Sequence, residues 1–133
     1  MALNPKLSAA SRNLALNAAL DVGNGGSVLI LDGTQATDAD TAIGSQVTLA
    51  NIGHNATAWA AASAAAKAAA AFTADSSADA TGTASWYRMR KSDATAYWDG
   101  SGGTASANLI FNSVAIQSGA NVQINSFNAT MAA

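Results

Sequence analysis

The spacing of apolar and polar positions changes along the chain, and the changes outline its elements. From Asn4 to Val22, Leu7, Leu14, Leu16 and Leu20 punctuate a stretch of alanines and asparagines at helical intervals. Asn4 suits the cap of such a helix and Pro5 its first position, while Gly23, Gly25 and Gly26 end it. The spacing predicts a helix over 4–22. "SVLILDG" (Ser27–Gly33) then reads as a short apolar strand closed by a turn. The polar, acidic "TQATDADTAIGS" (Thr34–Ser45) reads as a loop. In "QVTLANI" (Gln46–Ile52), Val47, Leu49 and Asn51 alternate with Thr48 and Ala50, which predicts a half-buried strand.

The second half is more clearly β. "ASWYRMRK" (Ala84–Lys91) places Trp86, Arg88 and Arg90 on one side and Tyr87 and Met89 on the other. "TAYWDG" (Thr95–Gly100) follows after a turn at Ser92 and Asp93, so the two segments predict a hairpin. Three further strands are expected at Asn108–Phe111, Val114–Ile116 and Val122–Met131, with Gly119 and Asn121 marking the last turn. Phe127, Ala129 and Met131 share one face of the final strand. Trp86 and Trp98 are expected to meet across the hairpin and anchor the core with Leu109, Phe111, Ile116 and Ile124. Short strands at close intervals predict an all-β fold. The expectation is an antiparallel, jelly-roll-like β-sandwich over 27–133, with one N-terminal α-helix, in a single domain.

One segment resists this scheme. "AWAAASAAAKAAAAF" (Ala58–Phe72) has the highest helix propensity in the chain, yet its one-sided polarity is too weak for an amphipathic helix. Sheet neighbours can override a propensity difference of ~1 kcal/mol. The residues alone leave the tract open between a helix and a loop followed by a strand.

Composition narrows the function. Charged residues are 11% of the 133, against ~25% in ordinary domains. So little charge favours association, because little repulsion keeps copies apart. A net charge of −2 argues against general nucleic-acid binding, which needs a basic face. Cysteine is absent, which excludes disulfides and thiolate chemistry. No run reads as a secretory signal or a membrane span, so a protein made and assembled in a cytoplasm is expected.

Candidate chemistry is sparse. His54, the one histidine, lies between Gly53 and Asn55 and reads as a turn residue. Asp32, Asp38, Asp40, Asp75 and Asp79 lack the loop order of a calcium site and read as solvated loops. "GNGG" and "DGSGG" lack the lysine and the strand–turn–helix setting of a phosphate cradle. No catalytic centre, metal site or cofactor is expected. Arg88, Arg90 and Lys91 form the one basic cluster and are the expected charged contacts to a partner.

The carboxyl half carries a family pattern. "ATGTA" (Ala80–Ala84) leads into the aromatic strand with its arginine (Trp86–Arg88). A "DG" turn (Asp99–Gly100), "GTASANL" (Gly103–Leu109) and "NSVAIQSG" (Asn112–Gly119) follow. With "LSAASRNLALNAAL" and "GSVLILDGTQ" in the amino half, most of the chain resembles a family of small virion proteins of tailed bacteriophages and prophages. The resemblance implies that the alanine tract is a loop with room for one helical turn, then a strand over Ala68–Thr73. It also implies a capsid cement or decoration protein. Such a protein would sit on the capsid exterior as a homodimer or homotrimer, bridging major capsid subunits through its amino-terminal helix or the loops Thr34–Ser45 and Gly53–Lys67. A tail, collar or fibre subunit is the alternative, and a bacterial surface or adhesive protein a more remote one.

Overall fold

The computed structural model describes residues 4–69 and 72–131. Its helix α1 (Ala9–Asp21) precedes ten strands: β1 (Ser27–Leu31), β2 (Thr48–His54), β3 (Ala66–Ala68), β4 (Phe72–Thr73), β5 (Gly82–Thr83), β6 (Trp86–Arg90), β7 (Ala96–Gly103), β8 (Leu109–Phe111), β9 (Ala115–Ile116) and β10 (Ile124–Thr130). Eight strands form one sheet in the order β3-β10-β8-β7-β6-β1-β2-β4, and β5 pairs with β9 beside it. A mostly β fold with one N-terminal helix is as expected. The antiparallel jelly-roll sandwich is not what the pairing describes. The sheet is mixed, because β8 runs parallel to the end of β7 through Gly102–Leu109 and Gly103–Ile110. It curls into a half-barrel whose edge strands β3 and β4 are consecutive along the chain.

α1 starts later than the spacing predicts. Ser8, rather than Asn4, is the cap: its extended backbone (ψ 160°) turns the side-chain oxygen to accept the Ser11 amide at 3.1 Å. Pro5 therefore lies outside the helix. Leu16 and Leu20 enter the core. At the exit, Gly23 and Gly26 are fixed by crowding. A Cβ at Gly23 would collide with the Tyr97 hydroxyl, and one at Gly26 with the Arg90 carbonyl.

β1 is buried along most of its length between β2 and β6. The alternation expected for β2 breaks at Leu49, where a bulge opposite Ile30 and Leu31 inserts an extra residue. Leu49 and Ala50 are consequently both buried, while Asn51 and Val47 are exposed. The freed Leu49 carbonyl accepts the Asp79 and Ala80 amides.

The β6–β7 hairpin forms as predicted, but the two tryptophans do not meet. Trp98 pairs with Met89, and Trp86 pairs with Ser101. Trp86 lies on the outer face with Leu29 and Leu31, covered by Ala36 and Ile43 of the 32–47 loop. Its indole N–H donates to Asp32 O at 2.8 Å. Trp98 is half-buried on the inner side, where its N–H donates to Tyr87 Oη at 3.1 Å. Leu109, Phe111 and Ile116 are buried as expected, and Ile124 packs against the core partly buried.

The alanine tract is not a helix in its described residues. Three asparagines take its backbone donors: Asn24 Oδ1 accepts Ala58 N–H, Asn17 Oδ1 accepts Ala62 N–H and Asn13 Oδ1 accepts Ala65 N–H, at 3.0, 3.0 and 2.8 Å. Ser63 and Ala66 exchange both main-chain bonds around Ala64 and Ala65, whose φ values are 50° and 60°. That is a two-residue hairpin of the kind Asn-Gly usually occupies. Ala66–Ala68 and Phe72–Thr73 follow as separate strands. Ala70 and Ala71 of the expected Ala68–Thr73 strand lie outside the described residues.

Candidate interaction surface

α1 has two different faces. Asn13, Leu16, Asn17 and Leu20, spaced three and four apart, point at the tract and the core. The opposite side and its flanks leave large apolar groups in solvent: Leu7 is 51% exposed, Leu14 70% and Val22 49%. With Val47 these are the exposed large hydrophobic residues among those described. Arg12 does not interrupt the outer face, since its Nη1 reaches across to Met131 O at 3.4 Å. Leu16 and Leu20 account for the helix's own packing, so burial within the chain does not explain the outer leucines.

The basic cluster expected to contact a partner is largely withdrawn from solvent. Arg88 is buried and makes a bidentate pair with Asp99, Nε to Oδ1 at 2.9 Å and Nη2 to Oδ2 at 2.7 Å. Nη2 also donates to Asp38 O at 3.0 Å, and the guanidinium lies 5.5 Å from the Trp86 ring. Arg88 thus fastens the acidic loop to the outer sheet face and is withdrawn from any partner. The reason is the hairpin register, which sets Asp99 directly opposite it. Arg90 is half-buried with Ser27 Oγ as its partner, and Lys91 is half-buried.

His54 is a core residue and not a turn. It ends β2, stacked on Phe72 at 4.6 Å and edge-on to Trp59 at 5.6 Å. Its Nδ1 lies 2.7 Å from Gly23 O, a carbonyl that only accepts, so the neutral ring carries its proton there. Burial holds its pKa below the ordinary 6.5. Nε2 has no partner. Burial likewise raises the pKa values of Tyr87 and Tyr97 above 10.

The aspartates serve their own loops. Asp38 Oδ1 accepts both the amide and the hydroxyl of Thr41, Asp32 Oδ1 accepts Val47 N–H, and Asp75 Oδ2 accepts Asn51 N–H. Among the described residues no group of three or more His and Asp side chains is placed to hold a metal ion. A polar cleft of about 210 Å³ opens where short β8 leaves β7 and β10 apart, between Trp98, Asn108 and Asn128. It is smaller than the ~300–1,000 Å³ of small-molecule sites.

Of the two loops expected to touch a partner, 34–45 folds over the outer sheet face. The other, 53–67, begins in buried β2 and ends at buried Lys67. Lys67 was not singled out by its sequence setting; a lysine among alanines carries no signal of burial. The exposed helix face was legible only as leucines too many for one stripe.

No model of a known protein family matches the chain, and neither does a curated protein or a solved structure. No helix among the described residues is long and apolar enough to cross a membrane.

Proposed function

We propose that this protein is a structural component of a tailed-phage virion, a cement or decoration protein on the capsid exterior. The observation that carries the reading is the outer side of α1, with Leu7, Leu14 and Val22 in solvent and no charged group between Leu14 and Leu20. Such a side can dock on shell protein with little desolvation penalty, since few charges lose water. The resemblance of the chain to small virion proteins supplies the partner. In this reading the curled sheet presents α1 to the major capsid protein. Copies associate as dimers or trimers, so that one oligomer engages several subunits and gains avidity. The role is mechanical and non-enzymatic: holding neighbouring subunits together against internal pressure.

The test is to quantify the protein in purified particles and to compare particles that lack it. Hundreds of copies, and loss of heat or low-salt resistance without it, support cement. A few copies confined to the tail vertex assign it to the collar, tail or fibre instead. Leu14→Asp should abolish particle binding while the free protein stays folded, because Leu14 makes little contact within its own chain.

A further inference from the structure

Lysine is rarely buried completely, because its ammonium is costly to remove from water. Lys67 is such a case, with its side chain 1% exposed. It extends from β3 to α1, where Nζ lies 2.7 Å from Asn17 Oδ1, 2.9 Å from Ala60 O and 3.0 Å from Asp21 Oδ1. Asn17 and Asp21 are one helical turn apart, so both reach the same point. Asn17 Oδ1 accepts a second bond, from the Ala62 amide at 3.0 Å. A primary amine, a carboxamide polarised by two donors and a carboxylate therefore converge.

An ammonium with three acceptors would suffice to tether the helix to the sheet. The identity of the acceptors allows more. We propose that Lys67 and Asn17 become joined by an intramolecular isopeptide bond that the folded chain forms by itself. With the amine 2.7 Å from the amide oxygen, the amide carbon stands roughly 3–4 Å from it, close to reacting separation. Holding the two groups there replaces concentration, since positioned pairs reach effective molarities of ~10⁵–10⁸ M.

The chemistry balances without a further reactant. The Lys67 ammonium gives one proton to Asp21, which frees the nitrogen electron pair. That pair attacks Asn17 Cγ, and the Ala62 N–H stabilises the charge that develops on Oδ1. A second proton moves from the lysine nitrogen to Asn17 Nδ2 and the Cγ–Nδ2 bond breaks. The ammonia released takes the proton held by Asp21 and departs as ammonium. Asp21 returns to its carboxylate, and its side chain, 46% exposed, gives the ion a way to solvent. The product is an amide tying α1 to β3 across 50 positions of sequence. This inference does not rest on the virion reading and stands or falls separately.

The intact mass of the purified, folded full chain is the test. Incubation at pH 8 should yield a species lighter by about 17 Da, the mass of ammonia. Fragment ions should place the link between Asn17 and Lys67. Lys67→Arg keeps the cation and removes the nucleophile, so it should retain its full mass. Asp21→Asn should slow the mass loss in a time course. Wild-type protein that keeps its full mass after prolonged incubation overturns the proposal, whether or not any variant folds. So does a 17 Da loss that persists in Lys67→Arg, which would be cyclisation of an asparagine.

Discussion

The β6–β7 hairpin and the alanine tract are both short stretches that end as strands, but they are specified in opposite ways. In the hairpin each large side chain names its own face. Trp86 and Arg88 go outward, Tyr87 and Met89 go inward, and the register follows because a one-residue slip would reverse every one of them. In the tract nearly every side chain is a methyl group, so neither face is preferred. Its path is set from outside, by Asn13, Asn17 and Asn24 taking the amides a helix would need. Propensity decides only when nothing stronger competes. The asparagine acceptors and the burial of Trp59 and Lys67 are stronger here.

The largest effects should come from breaking the self-specified region. Trp86→Ala removes a fully buried indole and should cost ~3–5 kcal/mol in denaturant unfolding. Arg88→Ala should cost a similar ~3–5 kcal/mol, since it strands the buried Asp99 carboxylate. Trp98→Ala should cost clearly less than Trp86→Ala, because Trp98 is half-buried; equal losses would contradict that difference in burial.

The tract should respond to changes made outside it. Asn13→Ala and Asn24→Ala each leave a tract amide without its acceptor, at Ala65 and Ala58, both buried. Each should lower stability by ~1–3 kcal/mol. Substitution of exposed Ala61 by Ser within the tract should stay within ~0.5 kcal/mol. If Ala61→Ser proved the more damaging, the tract would be holding itself.

His54 joins the tract to the end of β2, and pH should loosen that junction by a smaller amount. Its folded pKa is depressed by burial below 6.5, so the folded state favours the neutral ring. Stability should be full above pH 6.5 and decline as pH falls from there toward the folded pKa, where the unfolded chain gains a proton the folded one resists. Urea midpoints at pH 7.5 and 5.5 would measure the decline, and His54→Gln should flatten it in that window.

A further small effect treats both regions alike. Ala64 in the tract and Ala94 in the hairpin turn hold φ values of 50° and 67°. Glycine relieves that backbone strain but loses more entropy on folding, so Ala64→Gly and Ala94→Gly should each gain about 0.5–1 kcal/mol, read as a rise in melting temperature.

Much was fixed before any tertiary contact. The amino-terminal helix, the β1 and β6 strands, the hairpin and the shared face of Phe127, Ala129 and Met131 follow from side-chain size and alternation, which act over a few residues. The helix start moved from Asn4 to Ser8 because several residues near it can cap, and only the backbone chooses among them. The rest was decided at long range. The bulge at Leu49 upset a clean alternation, and the pairing of β7 with β8 made the sheet mixed. Arg88 turned from surface contact to buried ion pair once Asp99 lay opposite it. The meeting of Lys67 with Asn17 and Asp21 joins residues 50 and 46 positions apart, and nothing local marks any of the three. Periodicity reports which way a side chain points; only the closed fold determines what it meets.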